Sequence, residues 1–274
     1  MSRPLTNSEI EAQVRAAYGL KLDGGEQLHL LVENALHSWA GRAIDPESVD
    51  PIILAEGARA TKTYGGALRL AAGGFGPQAS MLARSLFEGM AIAHWAHANP
   101  EQAIDLFKKH GRHSELLWGD AFEKANPDDP RTIETGTEEE RKGLTDLFGR
   151  YAASLWTGHR SLHDLLPEIE DQWEEGRSRD MLWWFFRVAH RDNNQVLHST
   201  ALGLSAGIKR GAEEIRLDVG PSDHYLDRGL LGAWWSYVQM AGLLWDHFDI
   251  PGRAALDAAT DTVGAAFEKT GAAT

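Results

Sequence analysis

The segment Phe186 to Thr200, FRVAHRDNNQVLHST, spaces Arg187, Arg191, Asn194 and His198 so that an α-helix would hold them within roughly 60° of arc. One face would then carry two guanidiniums, an amide and an imidazole. That set suits an anion, because the guanidiniums are permanently charged forks and the imidazole exchanges a proton near neutral pH. The surrounding segment is apolar, opened by Leu182, Trp183, Trp184 and Phe185. Two helical turns in such a setting usually bury Leu, Val or Phe, and arginine or histidine is costly to bury without a partner. The stripe therefore implies a partner or a ligand, with Arg187 and Asn194 binding it beside Arg191 and His198.

A second polar pair sits in an apolar context. Arg84 and Glu88 are spaced i, i+4 among Leu82, Ala83, Leu86, Phe87, Met90 and Ala91. The spacing predicts a partly buried ion pair that could orient Arg191 or His198, and a plain structural ion pair is the competing reading. Each of the two helices offers polar groups the other can satisfy, so they are expected to pack together.

Arg191, the polar Asp192 after it, and His198 beyond six intervening residues resemble the arginine–histidine element of the HEPN superfamily of helical bundles. The resemblance implies metal-independent RNA cleavage, often in a site completed across a homodimer. His198 would act as general acid or base on the ribose 2′-OH and Arg191 would hold the scissile phosphate, with Arg84 and Glu88 in support. The blocks Met81 to His94 and Phe186 to Thr200 together resemble an uncharacterised bacterial helical family, domain of unknown function 5677. Its members pair an Arg-x-x-x-Glu helix with a later helix bearing a histidine. That resemblance leaves the residues before about Ala55 outside it and brings no activity with it. A different class of function stands beside the nuclease reading. The same cluster would be a non-catalytic pocket for a small anion or nucleotide, or a purely structural network in an interaction module, with His198 an interior histidine.

Composition bounds these readings. The chain has 274 residues, 43% hydrophobic and 24% charged, as in an ordinary globular protein, and is read as a single helical domain with a possible N-terminal extension over 1–54. A net charge of -13 argues against broad, sequence-blind nucleic-acid binding but leaves room for a local positive pocket. With no cysteine there is no disulfide, thiol nucleophile or Cys-ligated metal. The N-terminus lacks an apolar signal-type stretch and no apolar run reaches about 18 residues, so a cytoplasmic protein without a membrane partner is expected. No cofactor is expected. Glu26, His29, Glu33 and His37 resemble half of a di-iron site but lie opposite the apolar stripe of their helix, so they should face water, and a second Glu-x-x-His is missing. His159 with His163, and His94 with His97, would need a third ligand to hold zinc, and no metal is expected.

Periodicity of the helical type runs through the chain, and no convincing strand or hairpin stands out. The pattern predicts helices over Ser8–Tyr18 and Glu26–Trp39 separated by Gly24-Gly25, then roughly Val49–Leu70. The Gly73 to Gly76 turn follows, then Pro77–Ala98, Glu101–Lys124 and a helix capped at Thr137 that runs to Trp156. Further helices cover Arg160–Trp173, Asp180 to about Arg210, Tyr225–His247 and a last one after Gly252. The fold class is all-α, an antiparallel helical bundle with additional N-terminal helices. Six of the ten tryptophans, Trp173, Trp183, Trp184, Trp234, Trp235 and Trp245, lie from residue 173 onward. Such a concentration marks a core, a ligand cavity or, as expected here, the interface of a homodimer.

Overall fold

The structure, a computed structural model, describes residues 6–126, 136–150, 155–173, 175–192, 194, 208–210, 215–217, 221 and 224–271. The all-α reading holds. The helices are α1 (Asn7–Trp39), α2 (Asp50–Ala72), α3 (Gly76–Ala98), α4 (Pro100–Ala125), α5 (Glu138–Phe148), α6 (Leu162–Gln172) and α7 (Arg177–Phe185). A π-helical segment, Phe186–Asp192, continues α7, and α8 (Leu226–Phe248) and α9 (Arg253–Gly271) complete the chain. One departure is a short antiparallel ladder of β1 (Ile208–Arg210) and β2 (Ile215–Leu217), with Ile208 opposite Leu217. The helix expected to reach Arg210 therefore gives way before β1. Among the described residues no helix is long and apolar enough to cross a membrane.

The chain forms two compact units. One comprises Met1–Ala43, Ile53–Ala93 and Glu174–Thr274, and the other Ile44–Ile52 and His94–Trp173.

In the first unit α1 runs unbroken through Gly24-Gly25, where the sequence pattern predicts a separation. Its start is a capping box at Thr6 rather than a Ser8 cap: Thr6 N donates to Glu9 Oε2 at 2.7 Å and Glu9 N to Thr6 Oγ1 at 3.4 Å. The two glycines serve packing. A Cβ at Gly25 would lie 2.8 Å from Leu68 Cδ2 and 2.9 Å from the Tyr64 hydroxyl, and one at Gly24 would lie 3.1 Å from Val263 Cγ2. Glycine costs a helix about 1 kcal/mol relative to alanine. Here the close approach of α2 and α9 offsets that cost.

The core of this unit gathers Leu22, Leu28, Ile53, Phe87, Met90 and Leu244. Tyr64 of α2 and Tyr237 of α8 stack with centroids 4.2 Å apart, and the Tyr237 hydroxyl donates to Thr61 Oγ1 at 3.3 Å. Burial pushes both phenols above their ordinary range. Trp235 and Trp245 are buried inside the chain, whereas Trp184 is 43% exposed. Much of the tryptophan surface that suggested an interface is thus spent internally.

In the second unit α5 starts at Thr137, whose Oγ1 accepts from Glu140 N at 3.1 Å, and stops at Gly149 (φ +78°) instead of continuing to Trp156. Ion pairs of Arg112 with Glu140 (2.9 Å) and Arg141 with Asp120 (2.7 Å) join α5 to α4. From α6, Leu162, Leu165, Leu166 and Ile169 are buried.

Candidate functional site

Within the first unit a polar strip runs over α2, α3 and the π-helical segment. On α2, Arg59 donates from Nε and Nη2 to Glu56 Oε2 at 2.8 and 2.6 Å, and from Nη1 to Ser85 Oγ of α3 at 3.0 Å. Gly89 leaves the space for this contact, since a Cβ there would sit 2.8 Å from Glu56 Oε2. One turn along α3, Arg84 Nη2 lies 3.7 Å from Glu88 Oε2, a loose pair of two half-buried side chains. Arg84 Nε is buried with no hydrogen-bond partner among the described residues. A buried guanidinium N–H left this way is a donor available to an anion or an ordered water.

The π-helical segment meets α3 through aromatic rings. Phe186 and His190 stack at 5.3 Å, and Phe87 lies 6.1 Å from Phe186 and 6.4 Å from His190. The Arg84-bearing helix thus meets the π-helical segment through rings at Phe186 and His190, while the expected polar pairing with Arg191 is not among these contacts and His198 lies outside the described residues. Phe185 stacks on Trp235 at 4.3 Å, and Ala189 faces Gly232, where a Cβ would come within 2.8 Å of Ala189 Cβ. Wide i→i+5 turns concentrate at functional positions, because they reorient side chains that a regular helix would hold in register. The same widening means that the 3.6-residue arc assumed for Arg187, Arg191, Asn194 and His198 does not describe this segment.

Two titratable groups are shifted in opposite senses along the strip. Burial pushes His190 down to about 4, with the Arg84 guanidinium acting in the same direction. Burial raises the Glu56 carboxyl and Glu88 adds to the effect, against the lowering influence of Arg59. At neutral pH His190 is thus an uncharged imidazole able to accept a proton or a hydrogen bond. It stands beside permanent cations, an arrangement found where acid–base roles are divided between neighbours.

Of the residues singled out from sequence, Arg84 and Glu88 are together on this strip. Glu88 pairs loosely with Arg84, and it forms no ion pair with Arg191 among the described residues. Arg187 and Arg191 are exposed, so the burial cost inferred for them does not arise, and neither has an ion-pair partner among the described residues. Asn194 is half-buried, and its Oδ1 is buried and unpaired among the described residues. His198 lies outside the described residues. The strip adds Glu56, Arg59 and His190, which sequence reasoning missed. Glu56 and Arg59 read as an ordinary i, i+3 surface pair, and His190 falls off the arc that drew attention to its neighbours.

The other histidines are engaged elsewhere. His29, expected to face water, is half-buried with its ring 6.3 Å from Tyr64 and 6.4 Å from Tyr237, and burial lowers its pKa. The correction follows from Gly65 of α2, whose missing side chain lets the ring approach: a Cβ there would lie 2.8 Å from His29 Nε2. In the second unit, His159 uses both ring nitrogens, with Thr157 Oγ1 at 2.9 Å and Glu168 Oε1 at 3.0 Å. Trp95 Nε1 donates to the same Glu168 carboxylate at 2.7 Å, and Trp173 Nε1 donates to His94 Nδ1 at 3.3 Å. Among the described residues no three His, Asp or Glu side chains gather to hold a metal ion.

Residues 52–210 match the model of a family of unknown function, DUF5677. No curated protein and no solved structure matches the chain. The matched span contains every residue of the polar strip, from Glu56 to Asn194, and His198 as well.

Proposed function

We propose, from the premise that this chain belongs to the DUF5677 family, that the α3 and π-segment face engages phosphate groups of single-stranded RNA and that the protein is a metal-independent ribonuclease of HEPN type. The observation carrying this reading is the set of guanidinium donors left open on one segment and its neighbour. Arg187 and Arg191 are exposed without carboxylate partners among the described residues, and Arg84 keeps a buried Nε unpaired. Guanidiniums match phosphate oxygens as forks and stabilise charge that develops on them. In this reading Arg191 holds the scissile phosphate, Arg187 and Asn194 bind the substrate, and His198 takes and returns the 2′-OH proton. Arg84 and Glu88 support the phosphate seat. A homodimer, with a second copy completing the site, and a cytoplasmic setting belong to the same proposal.

A second reading has its own observation. His190 is neutral and enclosed by Phe87 and Phe186, and the chain as a whole carries -13. Both features suit a pocket that holds one small anion without cleaving a polymer, since a long RNA gains from a basic approach surface.

The deciding experiment is cleavage of single-stranded RNA in EDTA by protein free of contaminating nuclease. The nuclease reading expects His198→Ala to lose about two to four orders of magnitude in rate while remaining folded. Arg191→Lys is impaired as well, because an ammonium cannot reproduce the bidentate fork. Intact RNA, together with His198→Ala that only lowers the melting temperature, would leave the small-anion pocket as the function.

A further inference from the structure

We infer that the first unit carries a separate binding site, between α7, α8 and α9, for a small neutral molecule that is mostly apolar and aromatic with one hydrogen-bond acceptor. The site is a cavity of about 550 Å³ whose walls include Trp184, Phe185, Leu231, Trp234, Trp235 and Phe267. None of the charged groups of the polar strip lines it, and only its α7 side falls inside the family match at 52–210. It adds a ligand class that the phosphate reading does not contain.

Three observations assign the ligand class. The first is the wall. The volume lies in the range of small-molecule pockets, and apolar, aromatic walls with few polar groups are what such pockets present. Rings come from all three helices: Phe185 of α7 stacks on Trp235 of α8 at 4.3 Å, and Trp234 of α8 meets Phe267 of α9 at 5.3 Å. A ring on the ligand extends this set through the same offset or edge contacts. The second is a donor. Trp234 Nε1 is buried with no acceptor among the described residues, the one such polar atom on the lining side chains. A buried N–H without an acceptor costs free energy, and an oxygen on the ligand removes that cost. The third is the state of the other polar groups. Gln239 Nε2 already donates to Ser178 Oγ at 3.2 Å, and Glu268 already has a partner in the chain. Asp261 and Glu268 are exposed, so water and salt screen their charge. No lysine, arginine or histidine lines the cavity among the described residues. A ligand charge of either sign buried among these rings goes largely uncompensated, so the ligand is neutral. Gly264 keeps the space beside Trp234 open, since a Cβ there would touch the indole at 3.5 Å.

Probes of one shape test the assignment by titration of the full chain, followed in the indole N–H region of its NMR spectrum. These are acetophenone, its carbon isostere α-methylstyrene, the anion benzoate and the cation benzamidinium. Acetophenone and α-methylstyrene are both expected to bind, with benzoate and benzamidinium weaker than acetophenone by about tenfold or more. The Trp234 N–H resonance, identified by its loss in Trp234→Phe, is expected to move farther downfield with acetophenone than with α-methylstyrene. The hydrocarbon leaves water more readily than the ketone, so the two affinities are compared through the variant. Trp234→Phe should cost acetophenone about five- to tenfold more than it costs α-methylstyrene, because only the ketone loses a hydrogen bond. Gly264→Leu, which fills the space beside Trp234, removes binding of both and carries the test should Trp234→Phe misfold. Equal losses of the two probes in Trp234→Phe, tightest binding of benzoate or benzamidinium, undiminished binding by folded Gly264→Leu, or no binding of any probe at millimolar concentration would each overturn the assignment. So would a dimer that Trp184→Asp splits into monomers, since a second copy of the chain would then be the occupant. None of these outcomes bears on RNA cleavage through His198, so the two proposals fail separately.

Discussion

A single side chain, His190, gives the polar strip a measurable signature. Its imidazole ionises near 4 in the fold, against about 6.5 in an unfolded chain, because burial and the Arg84 guanidinium both disfavour the charged form. Above pH 6.5 it is neutral in both states and stability is unaffected. As pH falls from 6.5 toward 4 the unfolded chain takes up the proton first, so stability is lost across that window and the loss levels off below it. The total is on the order of 3 kcal/mol. Glu56 works in the opposite sense, because its raised carboxyl holds a proton in the fold that the unfolded chain releases near 4.5. Denaturant unfolding of wild type and His190→Gln at pH 7.5 and 5.0 isolates the histidine. The wild type should lose more stability between the two than the variant, and parallel losses would mean that His190 ionises normally. Arg84→Met should raise the His190 pKa, read by NMR titration of the ring, yet leave it below 6.5, since burial is the larger cause.

At the scale of elements, the glycines of α1 separate local propensity from packing. Gly19 and Gly25 occupy the same helix, and on propensity alone alanine would stabilise both. A Cβ at Gly19 meets only Arg15 Cδ at 3.7 Å, so Gly19→Ala should add about 0.5–1 kcal/mol. At Gly25 the new methyl meets Leu68 and Tyr64, and Tyr64 is itself locked against Tyr237. Gly25→Ala should therefore cost about 1–3 kcal/mol through forced displacement of α2. Chemical denaturation of the two variants gives opposite signs if this packing is right, and two stabilised proteins would show that α1 and α2 are not in close contact at Gly25. The π-helical segment follows the same logic, since Ala189 fits against Gly232 only because neither position carries a larger side chain.

For the whole molecule, the proposed homodimer makes one prediction. Light scattering at micromolar concentration should give twice the 30.2 kDa chain mass. A monomer at that concentration would remove the dimer from the proposed function and leave the single-chain arrangement of the strip intact.

The local part of this protein was legible from the order of its residues. The helical period located α2, α3, α4 and α8 to within a few residues, and the Thr137 cap was visible from its acidic followers. The Arg84–Glu88 spacing and the segment bearing Arg191 pointed to the family, because each is a pattern contained in one stretch of chain. What lies across from each pattern emerged from the packing of distant segments. Gly24-Gly25 reads as a break until α2 and α9 are seen pressing on it, and Glu56 and Arg59 read as a surface pair until Ser85 and Glu88 appear beside them. His190 matters because Arg84 and Phe87, about a hundred positions earlier in the chain, meet it beside its near neighbour Phe186. The π-helical turn that carries it forms in the segment that Phe185 and Ala189 seat against α8. Periodicity reports which face of a helix is apolar. The partner of that face, and the charge waiting on it, is set by packing between distant segments.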